Sequence, residues 1–220
     1  MKVPPKPVRA RHIALGVGAL SLTLALTACS SSTAPSSTPA AGGSTSASAG
    51  SDPEVVALLP QSVKDKGELV IGTEAQYPPF EFYDTDNKTI IGFDPDIGAG
   101  LASLMGLKLV LTDAAFDSII PSITSGRYNL GMSGFTVTAE RVKQVDFVTY
   151  YHEGDGLLVK AGNPGSLAIN ETLCGAKVAV LKGSTQNLTS VSELDKKCAA
   201  AGKPNLAASV VPGSSDLALA

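Results

Sequence analysis

From Glu68 onward the chain alternates short apolar, β-rich runs with segments whose apolar residues recur at helical spacing. Leu69-Val70-Ile71-Gly72 reads as a buried strand, and Glu81-Phe82-Tyr83 and Thr89-Ile90-Ile91 flank a turn at 84–87. Asp94 is expected to cap a helix with Pro95 at its first position. Ile97, Leu101, Leu104 and Met105 form the apolar face of that helix, and Gly106 stops it. Leu107-Lys108-Leu109-Val110-Leu111 reads as the next strand. Asp117 then opens a helix carrying Ile119, Ile120 and Ile123, which Gly126 ends. Strands are expected near 129–132 and 156–160. A second unit opens with Lys177-Val178-Ala179-Val180-Leu181, followed by a strand-to-helix turn at Gly183-Ser184-Thr185-Gln186. This alternation predicts an α/β fold, a mostly parallel sheet with helices on its faces. Ligands of such sheets sit beyond the carboxyl ends of the strands.

The first 51 residues follow none of these patterns. Lys2, Lys6, Arg9 and Arg11 make a basic start, and the uncharged run from Ile13 to Ala28 is 16 residues long. That is shorter than the ~20 residues of a membrane-spanning helix, so 1–28 reads as a secretory signal peptide. It ends in Leu26-Thr27-Ala28-Cys29, which resembles the lipobox of bacterial lipoproteins and implies cleavage before a lipid-carrying Cys29. From Ser30 to Ser51 only Ser, Thr, Ala, Pro and Gly occur. Residues 29–51 are therefore the lipidated cysteine and a flexible tether with a root-mean-square reach of about 25 Å.

Removing the leader takes four of the 17 basic residues and none of the 20 acidic ones, which leaves a balance of −7. That charge, without a basic patch interleaved with aromatics, argues against a nucleic-acid partner. Cys174 and Cys198 remain, and outside the cytoplasm an isolated pair reads as a structural disulfide. No CxxC spacing or histidine partner supports a metal or redox pair. Asp94 and Asp96 are explained as helix-start acids and not metal ligands. His152, the one histidine after the leader, reads as a surface or hinge-side residue.

Candidate chemistry centres on Arg141, in the run Met132-Ser133-Gly134-Phe135-Thr136-Val137-Thr138-Ala139-Glu140-Arg141. Thr138 reads as an N-cap and Ala139 as the start of a helix, where a cation opposes the positive end of the helix dipole. An anion between the guanidinium and the helix start resolves that conflict. The guanidinium fork can hold a carboxylate, with backbone N–H groups and the Thr136 hydroxyl as further donors. The alternative is a surface arginine paired with Glu140 or Asp146.

From about Glu68 to Ala220 the chain resembles an extracytoplasmic solute-binding protein of an ABC importer, in the polar-amino-acid branch. Five stretches in the family's order carry the resemblance: 71–80 (IGTEAQYPPF), 92–96 (GFDPD), 120–123 (IPSI), 138–141 (TAER) and 183–186 (GSTQ). The resemblance implies a two-lobed periplasmic-binding-protein type II fold, with lobe 1 at 52–155 and a partial lobe 2 at 156–220, and with an amino acid held between them. By position it implies that Arg141 clamps the ligand α-carboxylate with the backbone and hydroxyl of Thr136, and that the Thr185 amide reaches the same carboxylate from lobe 2. The backbone at Ser133 and Gly134 would place the α-amino group, although Ser133 also reads as a plain strand-end residue. Tyr77 and Phe116 match positions that stack on the ligand side chain, and otherwise read as core. Glu74 matches an acidic position that in some relatives contacts a cationic side-chain group, and Gln186 is placed on the pocket lining.

The implied protein is a monomer that needs no cofactor or metal. It is anchored by lipid to the outer face of the cell membrane and delivers its amino acid to a membrane permease. No Walker A loop is present, so the transporter's ATPase is a different chain. Two other functions share the scaffold: a dehydratase of amino-acid precursors, and the sensor domain of a receptor. The chain departs from the family at Asp146-Phe147-Val148-Thr149-Tyr150-Tyr151, where a proline is usual after Asp-Phe. It also ends inside an expected helix at 216–220, before the family's ammonium-holding acid. On that basis it is read as a fragment or a truncated product that binds more weakly than a longer version.

Overall fold

The computed structural model describes residues 50–215; the signal peptide, Cys29, most of the tether and the expected helix at 216–220 lie outside the described residues. Two short helices open the described chain. Helix α1 (Pro53–Leu58) is capped by Asp52, whose carboxylate accepts from the backbone of Glu54 and Val55, and α2 (Gln61–Lys66) ends on a left-handed Gly67. Neither was anticipated, because their apolar residues are too few to show helical spacing.

Strand β1 (Glu68–Thr73) is the centre of the first sheet. It pairs in parallel with β5 (Lys108–Asp113) on one side and with β6 (Leu130–Gly131) on the other. Between β1 and β5 run β2 (Gln76–Tyr77), the hairpin β3 (Glu81–Tyr83) and β4 (Ile90–Ile91), and helix α3 (Phe93–Met105). Helix α4 (Phe116–Thr124) joins β5 to β6. Leu69, Ile71, Ala102 and Met132 form the buried centre of this body, surrounded by Ile97, Leu101, Met105 and Leu109.

A second, smaller core gathers Leu173, Leu194 and Cys198. It lies under a two-stranded parallel sheet of β7 (Lys177–Leu181) and β8 (Ala207–Val211), connected through a π-helical turn, Gln186–Ser190, and α5 (Val191–Ala200). The expected disulfide is present between Cys174, beside the short 3-10 turn Glu171–Leu173, and Cys198 of α5. Among the described residues no helix is long and apolar enough to cross a membrane, and no cluster of His, Cys, Asp or Glu could hold a metal ion.

Four expectations about local structure need correction. Asp94 is not the cap of α3. Gly92 takes that place at φ 128°, and the amides of Phe93 and Asp94 are tied to the carbonyls of Pro79 and Phe80, which starts the helix earlier and buries Asp94 in its first turn. Leu104 lies on the outer side of α3 and is exposed. The run 156–160 forms no strand, because no neighbouring strand hydrogen-bonds to it among the described residues. After Thr138 there is a turn instead of a helix. The Thr138 hydroxyl does accept from the Arg141 amide at 3.2 Å, so the capping contact forms without a helix behind it. Helix α4 begins at Phe116, one residue before Asp117, and ends before Gly126, within the usual spread of helix ends.

The disulfide closes a loop with a sequence separation of 24 around the smaller core. Cys174→Ser with Cys198→Ser is expected to remove about 3 kcal/mol of stability on the loop-entropy model, read as a lower urea midpoint.

Candidate ligand-binding site

Strand β6 delivers the chain to the carboxyl end of β1, where the Met132 amide donates to the carbonyl of Gly72 at 3.0 Å. The loop that follows folds back on itself so that Arg141 points inward, with only 7% of its surface exposed. Its Nη1 donates to the Thr136 carbonyl at 2.8 Å and its Nη2 to the Gly183 carbonyl at 3.0 Å. The guanidinium carbon lies 5.2 Å from the Phe135 ring centre and 5.6 Å from that of Phe116, and the two rings stack at 4.3 Å. Glu140 is engaged with Lys143 at 2.8 Å, and among the described residues no carboxylate pairs with Arg141. The surface-pair alternative is thereby excluded. Burial lowers the proton affinity of the guanidinium. Two of its five N–H groups meet carbonyls, and the others remain available to an anion.

The opposite wall is acidic. Glu74, at the end of β1, is 2% exposed. Thr73 and Asp113 lie side by side in the β1–β5 ladder, so the carboxylate of Asp113 sits at the same strand end. There it accepts from the Ala75 amide at 2.9 Å and from the Tyr83 hydroxyl at 3.2 Å. A cleft of about 200 Å³ opens between Glu74, Gln76, Asp113, Ala114 and Ala115 on one side and Pro212 and Gly213 on the other. Burial raises the proton affinity of Glu74. Two hydrogen bonds from Ser214 oppose that shift, while the charges of Asp113 and Asp117 add to it.

The smaller body meets this wall through the turns after β7 and β8. Gly183, at φ 77°, packs so closely on the start of α4 that a Cβ there would stand 2.8 Å from that of Asp117. Lys182 pairs with Asp117 at 2.9 Å. The turn after β8 places Ser214 Oγ 2.6 Å from Glu74 Oε2 and Ser215 Oγ 2.6 Å from Gln76 Oε1. Both bodies thus present the carboxyl ends of parallel strands to one cleft.

Residues 69–211 match the sequence profile of the bacterial extracellular solute-binding proteins, family 3. The chain belongs to that family. It is 32% identical over 151 residues to the arginine-binding protein ArgT of Corynebacterium glutamicum, covering 69% of this chain and 49% of that protein. It is 35% identical over 127 residues to the L-cystine-binding protein TcyJ of Escherichia coli, covering 57% of this chain and 47% of that one. The arginine-bound form of a truncated arginine-binding protein, ArgBP, from T. maritima superposes with a TM-score of 0.63 at 30% identity, over 73% of this chain and 71% of that chain. The chain therefore spans about half the length of these two curated relatives. The fold is the type II periplasmic-binding-protein fold expected from the sequence, and its two bodies are hereafter called lobes.

Within this solute-binding fold the expected site residues occupy different surroundings. Glu74 borders the cleft, and Arg141 is joined to the Gly183–Thr185 turn through the Gly183 carbonyl, with Thr185 at the N-cap of the π-helical turn. Phe116 is buried beneath the guanidinium, and Tyr77 stacks on Phe80 at 5.5 Å and stays 41% exposed; among the described residues no ring contact joins the two. At Gly134 (φ 59°) a Cβ would meet the Tyr77 ring and the Glu153 carboxylate at ordinary contact, each 3.8 Å away. Thr136 offers its carbonyl to Arg141, whereas its side chain is exposed. The Ser133 hydroxyl is held within the framework, accepting from the Glu74 amide at 3.1 Å and donating to Glu81 Oε1 at 2.6 Å. Gln186 donates to Asp155 and lies away from the acidic wall.

Sequence reasoning missed a second layer of buried acid behind the site. Glu81 of β3 is fully buried, and Asp94 of α3 accepts from the Tyr150 hydroxyl at 2.8 Å. Tyr150 belongs to the segment where the family's usual proline is absent. The charge of Asp94 bears on Glu81, and among the described residues Glu81 Oε2 and Asp94 Oδ1 have no hydrogen-bond partner. The only sequence signal was an acid at alternate spacing in a strand next to an aromatic run, which reads equally as a surface position.

Burial, with the charges of Asp94 and Glu74 behind it, pushes Glu81 up to about 9 from an ordinary value of 4.5. The folded chain therefore holds the Glu81 proton more tightly than the unfolded chain. Its contribution is complete at low pH and is lost as pH rises from about 4.5 to about 9. Unfolding free energy is expected to decline across that window by up to about 1.4 kcal/mol per pH unit from this group. Glu81→Gln, which carries a permanent donor, should flatten the slope in urea titrations run at several pH values.

Proposed function

We propose that this chain is the ligand-capturing component of an ABC importer, and that its ligand is an amino acid with a cationic side chain. The observation that carries the reading is the buried Arg141 guanidinium, which has no carboxylate partner among the described residues, together with a cleft walled by the carboxylates of Glu74 and Asp113. An α-carboxylate supplies the missing anion and a side-chain ammonium or guanidinium supplies the missing cation. Thr136 and the Thr185 amide complete the carboxylate end, Gly134 and Ser133 lend backbone to the α-amino group, and Tyr77 and Phe116 flank the side chain. The arginine-binding relatives support this choice, and the cystine-binding relative fits a second ammonium group equally well.

Lobe 1 is taken as 52–155 and lobe 2 as 156–220. A ligand that contacts donors on both lobes only when they are closed shifts the open–closed balance, which is the signal a permease can read. Lipidation at Cys29, cleavage of 1–28 and display of the monomer outside the cell membrane remain part of the proposal, supported by the lipobox-like sequence and the family's extracellular character. A dehydratase would require a free acid or base beside the α-carbon. Glu74, the nearest candidate, has both oxygens held by Ser214.

Thermal unfolding of the purified chain against the common amino acids and cystine tests this function. Arginine, lysine or cystine at 100 times its dissociation constant should add about 2.7 kcal/mol of stability, and Arg141→Ala should abolish the shift. A cooperative melt that no amino acid moves would overturn the reading.

A further inference from the structure

Glu74 is tied across the cleft by a residue to which neither the sequence pattern nor the relatives assign a role. Ser214, in the turn after β8, donates its hydroxyl to Glu74 Oε2 at 2.6 Å and its amide to Glu74 Oε1 at 3.3 Å. Next to it, Ser215 donates to Gln76 Oε1 at 2.6 Å. Each carboxylate oxygen has two acceptor positions, so Ser214 fills one on each and leaves the other for a ligand donor. Charged and titratable neighbours press on Glu74 from several elements: Asp113 from β5, Asp117 from α4 and Glu81 from β3. Lys182 is already committed to Asp117. In such surroundings a carboxyl takes up a proton unless donors hold it ionised, and a protonated Glu74 offers no charge to a ligand cation.

We propose that Ser214 is a positioning residue that sets the charge preference of the cleft, because its two donors from lobe 2 hold Glu74 ionised and oriented towards a cationic side chain. Since these donors come from the opposite lobe, the preference is expressed in the closed form. Closure and recognition of the cation therefore reinforce one another. This rests on the reading of the chain as a binder of cationic amino acids.

The test compares arginine with its uncharged isostere citrulline by calorimetry at several pH values, in the unaltered chain, Ser214→Ala, Ser214→Thr and Glu74→Gln. Ser214→Ala should cut the arginine-to-citrulline preference about tenfold at neutral pH, the order of one hydrogen bond to a charged group. It should also move upward the pH below which the preference disappears, because Glu74 then takes up its proton more readily. Ser214→Thr, which keeps the hydroxyl, should restore both. If Glu74→Gln abolishes the preference while Ser214→Ala leaves it intact, Ser214 has no such role and the cation site stands without it. If the unaltered chain does not prefer arginine, the cationic-ligand reading falls, and the role of Ser214 falls with it.

Discussion

Arg141 carries a permanent positive charge into a site from which water is largely excluded, and the arrangement around it answers that charge. Two carbonyls from opposite lobes, those of Thr136 and Gly183, approach the guanidinium, and the faces of Phe116 and Phe135 lie against it. Carbonyl dipoles and ring quadrupoles offset part of the desolvation of a cation, and an anion offsets far more. The Gly183 carbonyl ties Arg141 to the turn after β7 of lobe 2. Asp117 fixes this geometry from beneath, packed against Gly183 and paired with Lys182.

The negative charges are layered. Glu74 faces the cleft, while Glu81 and Asp94 lie behind it, and Ser133 joins the layers by accepting from the backbone of Glu74 and donating to Glu81. Three buried carboxyls so close together cannot all ionise cheaply. Burial holds a proton on Glu81, so the inner layer acts as framework, and the outer carboxyl receives donors from Ser214. Tyr150 extends the inner layer into the segment that leaves lobe 1, where its hydroxyl meets Asp94. The departure from the family's usual proline thus coincides with a buried hydrogen bond at the same place, and the segment is anchored by a side chain instead of by a fixed backbone angle.

Several polar contacts cross the cleft. Arg141 to Gly183, Glu74 to Ser214, Gln76 to Ser215, Lys182 to Asp117 and Gln186 to Asp155 join two bodies that keep separate apolar cores. Such contacts exchange readily with water and with a polar ligand, because each donor and acceptor has a replacement at hand. Apolar cores, by contrast, keep each lobe rigid. The cleft can therefore reorganise without disturbing the folds on either side.

Much of this was legible in the chain itself. Apolar periodicity located β1, β5, α3, α4 and β7, since burying one face of each is the dominant local demand. Arg141 drew attention as a cation at the start of a helix that does not form, whereas the spacing and compartment of Cys174 and Cys198 indicated their bridge. Tertiary structure decided the rest, because it depended on contacts between residues far apart. A strand at 156–160 failed for lack of a neighbour, and Asp94 became a buried acid because Pro79 and Phe80 captured the start of its helix. Glu81 and Ser214 look like ordinary surface residues in sequence. Their roles arise from neighbours 13, 52 and 140 positions away, at Asp94, Ser133 and Glu74, which no local pattern encodes.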